Sequence, residues 1–152
     1  LRQLDHFGCG TEGCASGLRC LRDLQAVGLL SGANVPNKVM RLCANERAIV
    51  EGIFQELGEA ADEASFAALL EARVRDGDHC AACTGAHTLL SCGLLRPRAR
   101  TLGPVLRACC DADRLDLAEP LWDSWCNSAT HRLGARPPGA EDWGSLISLG
   151  RL

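Results

Sequence analysis

Residues 97–126 read PRARTLGPVLRACCDADRLDLAEPLWDSWC, two helical periods joined by an acidic turn. In the first, Leu102, Val105, Leu106 and Cys109 recur at helical spacing, so one apolar stripe faces a neighbour. Pro97 stands just ahead of the start, where a missing N–H costs little. The turn Cys110-Asp111-Ala112-Asp113 then offers an Asp N-cap for a second helix beginning near Arg114. Leu115, Leu117, Ala118, Leu121, Trp122 and Trp125 form the apolar side of that helix. A single helix of this length is marginal in water, so each stripe needs a partner.

Sliding the sequence along itself finds the partners. The stretch from Asp62 lines up with the stretch from Arg98, placing Phe66 on Leu102, Leu69 on Val105 and Leu70 on Leu106, 36 residues apart. One residue short of that offset, the acidic turn Asp76-Gly77-Asp78 falls on Asp111-Ala112-Asp113. An earlier, shorter copy begins at Asn34, and another start appears near Trp143. A period of about 35 residues with two helices in each predicts an all-α fold, an α-solenoid. The repeats run over residues 1–33, 34–62, 63–97 and 98–138, with a partial unit at 139–152. Eight or nine helices in antiparallel pairs are predicted, without a strand, and Phe66, Leu70, Leu102, Leu106 and Trp143 should share one core. The last unit leaves Trp143, Leu146, Ile147 and Leu149 half-exposed, which predicts a continuation beyond residue 152.

Composition narrows the chemistry. The 152 residues are 47% hydrophobic with a net charge of −3, enough chain for one helical core. No window holds the roughly 18 uncharged apolar residues of a membrane span, so membrane insertion is not expected. Most of the ten cysteines fall on helix faces beside Ala and Leu, where a free thiol acts as a small hydrophobe. Cys43 and Cys109 hold the same place in two repeats and are expected to be buried and not bridged to each other. The competing reading is a secreted, disulfide-stapled helical domain. Cys80-Ala-Ala-Cys83, with His79 and His87 nearby, is half a zinc site without its other half, or a redox CxxC, or plain packing. Packing is the simplest account. The carboxylates Asp62, Asp76, Asp78, Asp111 and Asp113 sit at repeat junctions, where Asp caps helices and shapes turns. No catalytic, metal or cofactor site is expected in these residues.

The tetratricopeptide pattern W-x2-L-G-x2-Y is missing. Instead each unit carries an aromatic or aliphatic residue, two leucines, and a small residue or Cys near the helix end. A Gly then precedes Pro or polar residues, as in SCGLLRP and HRLGARPP. This resembles the pentatricopeptide repeat (PPR), an RNA-reading family. PRARTLGPVLRACC followed by LGARPPGAEDWGSLI, with DEASFAALLEARVRDGD ahead of both, is similar to the PPR domain of proteinaceous RNase P. The resemblance implies an intracellular protein of the mitochondrion or plastid, with the nucleus as the alternative. It also implies binding of precursor tRNA for 5′ maturation by a metallonuclease domain that is not in this chain.

The first helices line the concave surface in PPR solenoids, so the resemblance turns attention to their cations. Arg96, Arg98, Arg100 and Arg107 cross the entrance and one face of the first helix of the 98–138 repeat, and Arg73 and Arg75 extend the stripe from the repeat before. They are read as phosphate contacts, against the plain alternative of a solvated face. The net charge of −3 and pI of 5.8 weigh on the side of the plain alternative. The family's base-reading positions fall on Ala67 with Arg98 and on Gly103 with Gly139. Neither pair offers Asn, Asp, Ser or Thr, so recognition of RNA shape and backbone, as at the tRNA elbow, is expected rather than base readout. The second functional reading is a PPR-like scaffold subunit of an organellar multiprotein or ribonucleoprotein assembly, without catalysis.

Overall fold

Asp62 and Ser65 start the central helix of the molecule by capping each other. The Asp62 carboxylate accepts the Ser65 N–H at 2.9 Å, and the Ser65 hydroxyl accepts the Asp62 N–H at 3.1 Å. The structure, a computed structural model, describes residues 11–92, Leu95 and residues 97–131. Seven α-helices and one 3-10 turn make up the regular structure among them: α1 (Thr11–Ala26), α2 (Asn34–Leu42), α3 (Arg47–Leu57), the 3-10 turn (Gly58–Ala60), α4 (Glu63–Arg75), α5 (His79–Ser91), α6 (Ala99–Asp111) and α7 (Leu115–His131). The all-α class holds, and no strand occurs among the described residues. The opening segment 1–10, Arg96, Gly139 and the final unit with Trp143 lie outside them.

The helix ends repeat as the sequence does. Glu63 and Ala99, the first residues of α4 and α6, are 36 residues apart, and so are His79 and Leu115, the first residues of α5 and α7. At the end of α4 the Gly77 N–H meets the Val74 carbonyl and the Asp78 N–H meets the Arg73 carbonyl, both at 3.0 Å. At the end of α6 the Asp113 N–H meets Cys110 at 3.0 Å and the Arg114 N–H meets Cys109 at 2.8 Å. Both are Schellman closures, which need a left-handed residue. Gly77 supplies it with φ 77°, and Asp113 with φ 55°. Asp113 is therefore the counterpart of Gly77 and not the N-cap of α7. Arg114 precedes the first residue of α7 and pairs with Asp116 at 2.8 Å. Asp78 does take the capping role, accepting the Ala81 N–H at 2.8 Å.

Consecutive helices pack on one another, and three pairs also pack across the helix between them. α2 touches α4 and α4 touches α6, which sets these three in a row; α5 touches α7 behind them, and α3 and α5 each also touch the following member of the row. Buried hydroxyls hold the row together. Ser65 Oγ donates to Asn37 Oδ1 of α2 at 2.7 Å, while Asn37 Nδ2 donates to Asp62 at 2.9 Å. Thirty-six residues on, Thr101 Oγ1 of α6 donates to Glu63 Oε1 of α4 at 2.8 Å. Buried polar groups are stabilising only when paired in this way.

The core forms two clusters that share α4. Phe66 and Leu70 join Leu102, Leu106 and the residues of α5 and α7, including the edge-to-face pair Trp122 and Trp125. Ala68, Leu69 and Ala72 join Val39, Met40, Val50 and Ile53 on the other side. Phe54 packs against both clusters, its ring 4.9 Å from Phe66. Four of the five residues expected to share a core do so in the first cluster, and the fifth, Trp143, lies outside the described residues.

The expectation of reduced thiols is corrected at one pair. Cys14 of α1 is disulfide-bonded to Cys43, the residue closing α2, with their Cα atoms 4.8 Å apart. Gly17 eases the approach of α1, since a Cβ there would stand a tight 3.3 Å from the Leu42 side chain. Among the described residues the seven other cysteines are free. Cys43 and Cys109 are both buried, in different clusters.

Candidate binding groove

The row of α2, α4 and α6 carries a groove of about 700 Å³. Small side chains on one face of α4, Ala64, Ala67 and Ala68, set its floor. Arg41 from the last turn of α2 makes one rim, and Arg100, Pro104 and Thr101 of α6 make the other. Glu63, Glu71 and Arg75 complete the lining along α4. Pro104 removes the helical N–H that would have met the Arg100 carbonyl.

The charges in this groove are of two kinds. Arg75 is neutralised by Glu71 at 2.7 Å and also donates to Asn45 at 3.0 Å. Glu63 is engaged by α6, accepting the Arg98 N–H and the Thr101 hydroxyl at 2.8 Å each and pairing with the Arg98 guanidinium at 2.9 Å. Arg41 and Arg100 have no ion-pair partner among the described residues, and neither does Arg107. Arg107 is exposed on α6, two turns beyond Arg100.

The residues singled out from sequence divide accordingly. Ala67 and Arg100 both line the groove, and Arg98 does not, its guanidinium bound to Glu63. Gly103 is half-buried on α6 and does not line it. Arg73 belongs elsewhere. Its Nε meets Glu51 of α3 at 3.0 Å and its guanidinium donates to the Ala81 carbonyl of α5 at 2.9 Å. Gly85 leaves room for this, since a Cβ there would stand 2.8 Å from the Arg73 guanidinium. Arg73 thus ties α3, α4 and α5 together instead of extending the stripe.

Arg47 completes that inner network, reaching Glu51 at 3.1 Å, Asp76 at 2.9 Å and Asp78 at 2.8 Å. Burial pushes the Glu51 carboxyl up, but the hydrogen bonds from Arg73 and Arg47 outweigh it and hold the group below its ordinary range. Asp78 is held low by the Ala81 N–H and then by Arg47. Asp62 is desolvated, yet its bonds from Ser65 and Asn37 keep it low as well.

Arg41 was not singled out by the basic run, yet the chain does carry its signal. Val39-Met40-Arg41-Leu42-Cys43 of α2 matches Val105-Leu106-Arg107-Ala108-Cys109 of α6, so Arg41 and Arg107 are counterparts. At Cys80 and Cys83 the structure gives one exposed and one buried thiol, and no group of three or more metal-ligating side chains forms among the described residues. No helix among them is long and apolar enough to cross a membrane. Compared with protein-family models, curated proteins and solved structures, the chain matches none.

Proposed function

We propose that this chain is an RNA-binding solenoid of PPR-like helix pairs, serving as the precursor-tRNA arm of a protein-only RNase P type endonuclease. The observation that carries the reading is the groove over α2, α4 and α6, with Arg41 and Arg100 on opposite rims and Arg107 further along α6. Guanidinium groups without an ion-pair partner among the described residues are available to phosphate oxygens, and their forked donors suit that geometry. The alanine floor leaves space for a backbone and offers no side chain that reads a base edge, which fits recognition of RNA shape. In this reading, the helix ends that repeat every 36 residues support the solenoid, and each pair adds one wall to the groove.

Titration of a precursor tRNA at two salt concentrations tests this, comparing the wild-type chain with an Arg41, Arg100, Arg107→Ala variant. Each arginine that meets a phosphate should, once replaced, lower the salt slope by about one and weaken binding of different sequences alike. Unchanged affinity and slope would leave these arginines as a solvated face.

The second reading, a PPR-like scaffold subunit of an organellar assembly, is favoured by the two carboxylates, Glu63 and Glu71, that line the same groove. A mixed-charge groove suits a protein segment. The Cys14–Cys43 bridge favours a compartment in which disulfides persist, as the competing secreted reading has it, over the intracellular setting that the resemblance implies.

A further inference from the structure

The disulfide between Cys14 and Cys43 has a counterpart that is not closed. Cys14 lies in the first turns of α1 and Cys43 at the end of the following helix, α2. Cys83 lies in the first turns of α5, and Cys109 near the end of the following helix, α6. The match V-M-R-L-C to V-L-R-A-C places Cys43 and Cys109 in register, and each faces a thiol from early in the preceding helix. In the first pair the sulfurs are bonded. In the second they stand 3.4 Å apart, and both residues are buried, at 3% and 0% exposure.

We infer that Cys83 and Cys109 form a second, oxidisable dithiol that closes to a disulfide between α5 and α6. The sulfurs already touch, and the first pair shows that the same arrangement of consecutive helices accommodates the bond. The hydrogen bond to Cys109, with burial, holds the Cys83 thiol well above its ordinary range, while the same bond holds Cys109 below its own, so Cys109 is the readier nucleophile of the pair. A shared metal does not explain the pair, since no third ligand joins the two sulfurs among the described residues.

The oxidant is a low-molecular-weight disulfide such as glutathione disulfide. Cys109 attacks one of its sulfurs, forming a mixed disulfide and expelling one small thiolate, which takes up the Cys109 proton. Cys83 then attacks the Cys109 sulfur and expels the second small thiolate, which takes up the Cys83 proton. Two protein thiols are oxidised to one disulfide, and one small disulfide is reduced to two thiols. Because α6 carries Arg100 and Arg107, the closed bond fixes that wall of the groove against α5, whatever the groove binds.

The test is peptide mapping of the 152-residue chain equilibrated across a series of reduced and oxidised glutathione ratios, quenched by alkylation. The expected result is a Cys83–Cys109 linked peptide that appears with increasing oxidant and disappears on return to reduced glutathione. A Cys110→Ser variant should keep the link, and a Cys109→Ser variant should lose it while keeping its helical circular dichroism. The wild-type map stands even where a variant fails to fold. Cys83 and Cys109 both recovered as free thiols at the most oxidising ratio would overturn the inference. So would Cys83 recovered linked to Cys80, the exposed thiol one turn away on α5.

Discussion

Replacing Glu63 with Ala removes one carboxylate and breaks three interactions at once. Its Oε1 accepts the Arg98 N–H at the start of α6 and the Thr101 hydroxyl, and Oε2 meets the Arg98 guanidinium. The Arg98 side chain is 62% exposed, so the ion pair is screened and contributes little. Losing the acceptor for the Arg98 N–H resembles loss of a helix cap, about 1 kcal/mol. Thr101 is only 4% exposed, so its hydroxyl is left without an acceptor away from water. That adds about 1–2 kcal/mol. Glu63→Ala should therefore destabilise the chain by about 2–3 kcal/mol, a fall in Tm of about 5–10 °C for a chain of this size. Urea unfolding followed by far-UV circular dichroism measures it. Glu63→Gln keeps an acceptor oxygen and should cost under about 1 kcal/mol. In a Thr101→Val background, where no hydroxyl needs an acceptor, Glu63→Ala should cost only about 1 kcal/mol. A Glu63→Ala cost below about 0.5 kcal/mol, or full additivity with Thr101→Val, would refute the clasp between α4 and α6.

Cys43→Ser opens a cross-link between residues 29 apart in sequence. Loop-closure entropy puts the loss at about 3.5 kcal/mol; reduced wild type should match the variant, and identical unfolding of oxidised and reduced wild type would contradict this. Glu51, Asp62 and Asp78 all have folded pKa values below their ordinary ones, so the stability they confer is present above the unfolded values, about pH 4. It is lost as pH falls through the lower folded values. The urea midpoint should therefore decline below about pH 4, and Glu51→Gln should flatten part of that decline; a variant profile parallel to wild type would show that Glu51 plays no part.

The periodicity is readable because burial acts through it. Phe66, Leu70, Leu102 and Leu106 recur at a fixed offset, and the helices carrying them begin 36 residues apart. The turn before α7 departs from expectation because an Asp can cap a helix or hold a left-handed turn, and the choice at Asp113 depends on the closure of α6 behind it. Arg73 departs for a related reason. Charge says nothing about which face a side chain serves, and its partner Glu51 comes from a helix more than twenty residues earlier. The Cys14–Cys43 bond depends on how closely α1 lies on α2, which Gly17 eases and the sequence alone does not state. Arg41 is legible in V-M-R-L-C, but only once α2 is set in register with α6.

That α4 belongs to both clusters has a consequence for how the chain comes apart. Ala68, Leu69 and Ala72 face one way, Phe66 and Leu70 the other. A fluctuation that releases α1 to α3 strips one side of α4, and one that releases α6 and α7 strips the other. Either way the remaining cluster still grips it. Amide hydrogens of α4 should be the last to exchange with solvent, since only global unfolding frees both its faces. A cut on either side of α4 leaves one fragment without a wall of its core, so no seam among the described residues divides them into two self-sufficient halves.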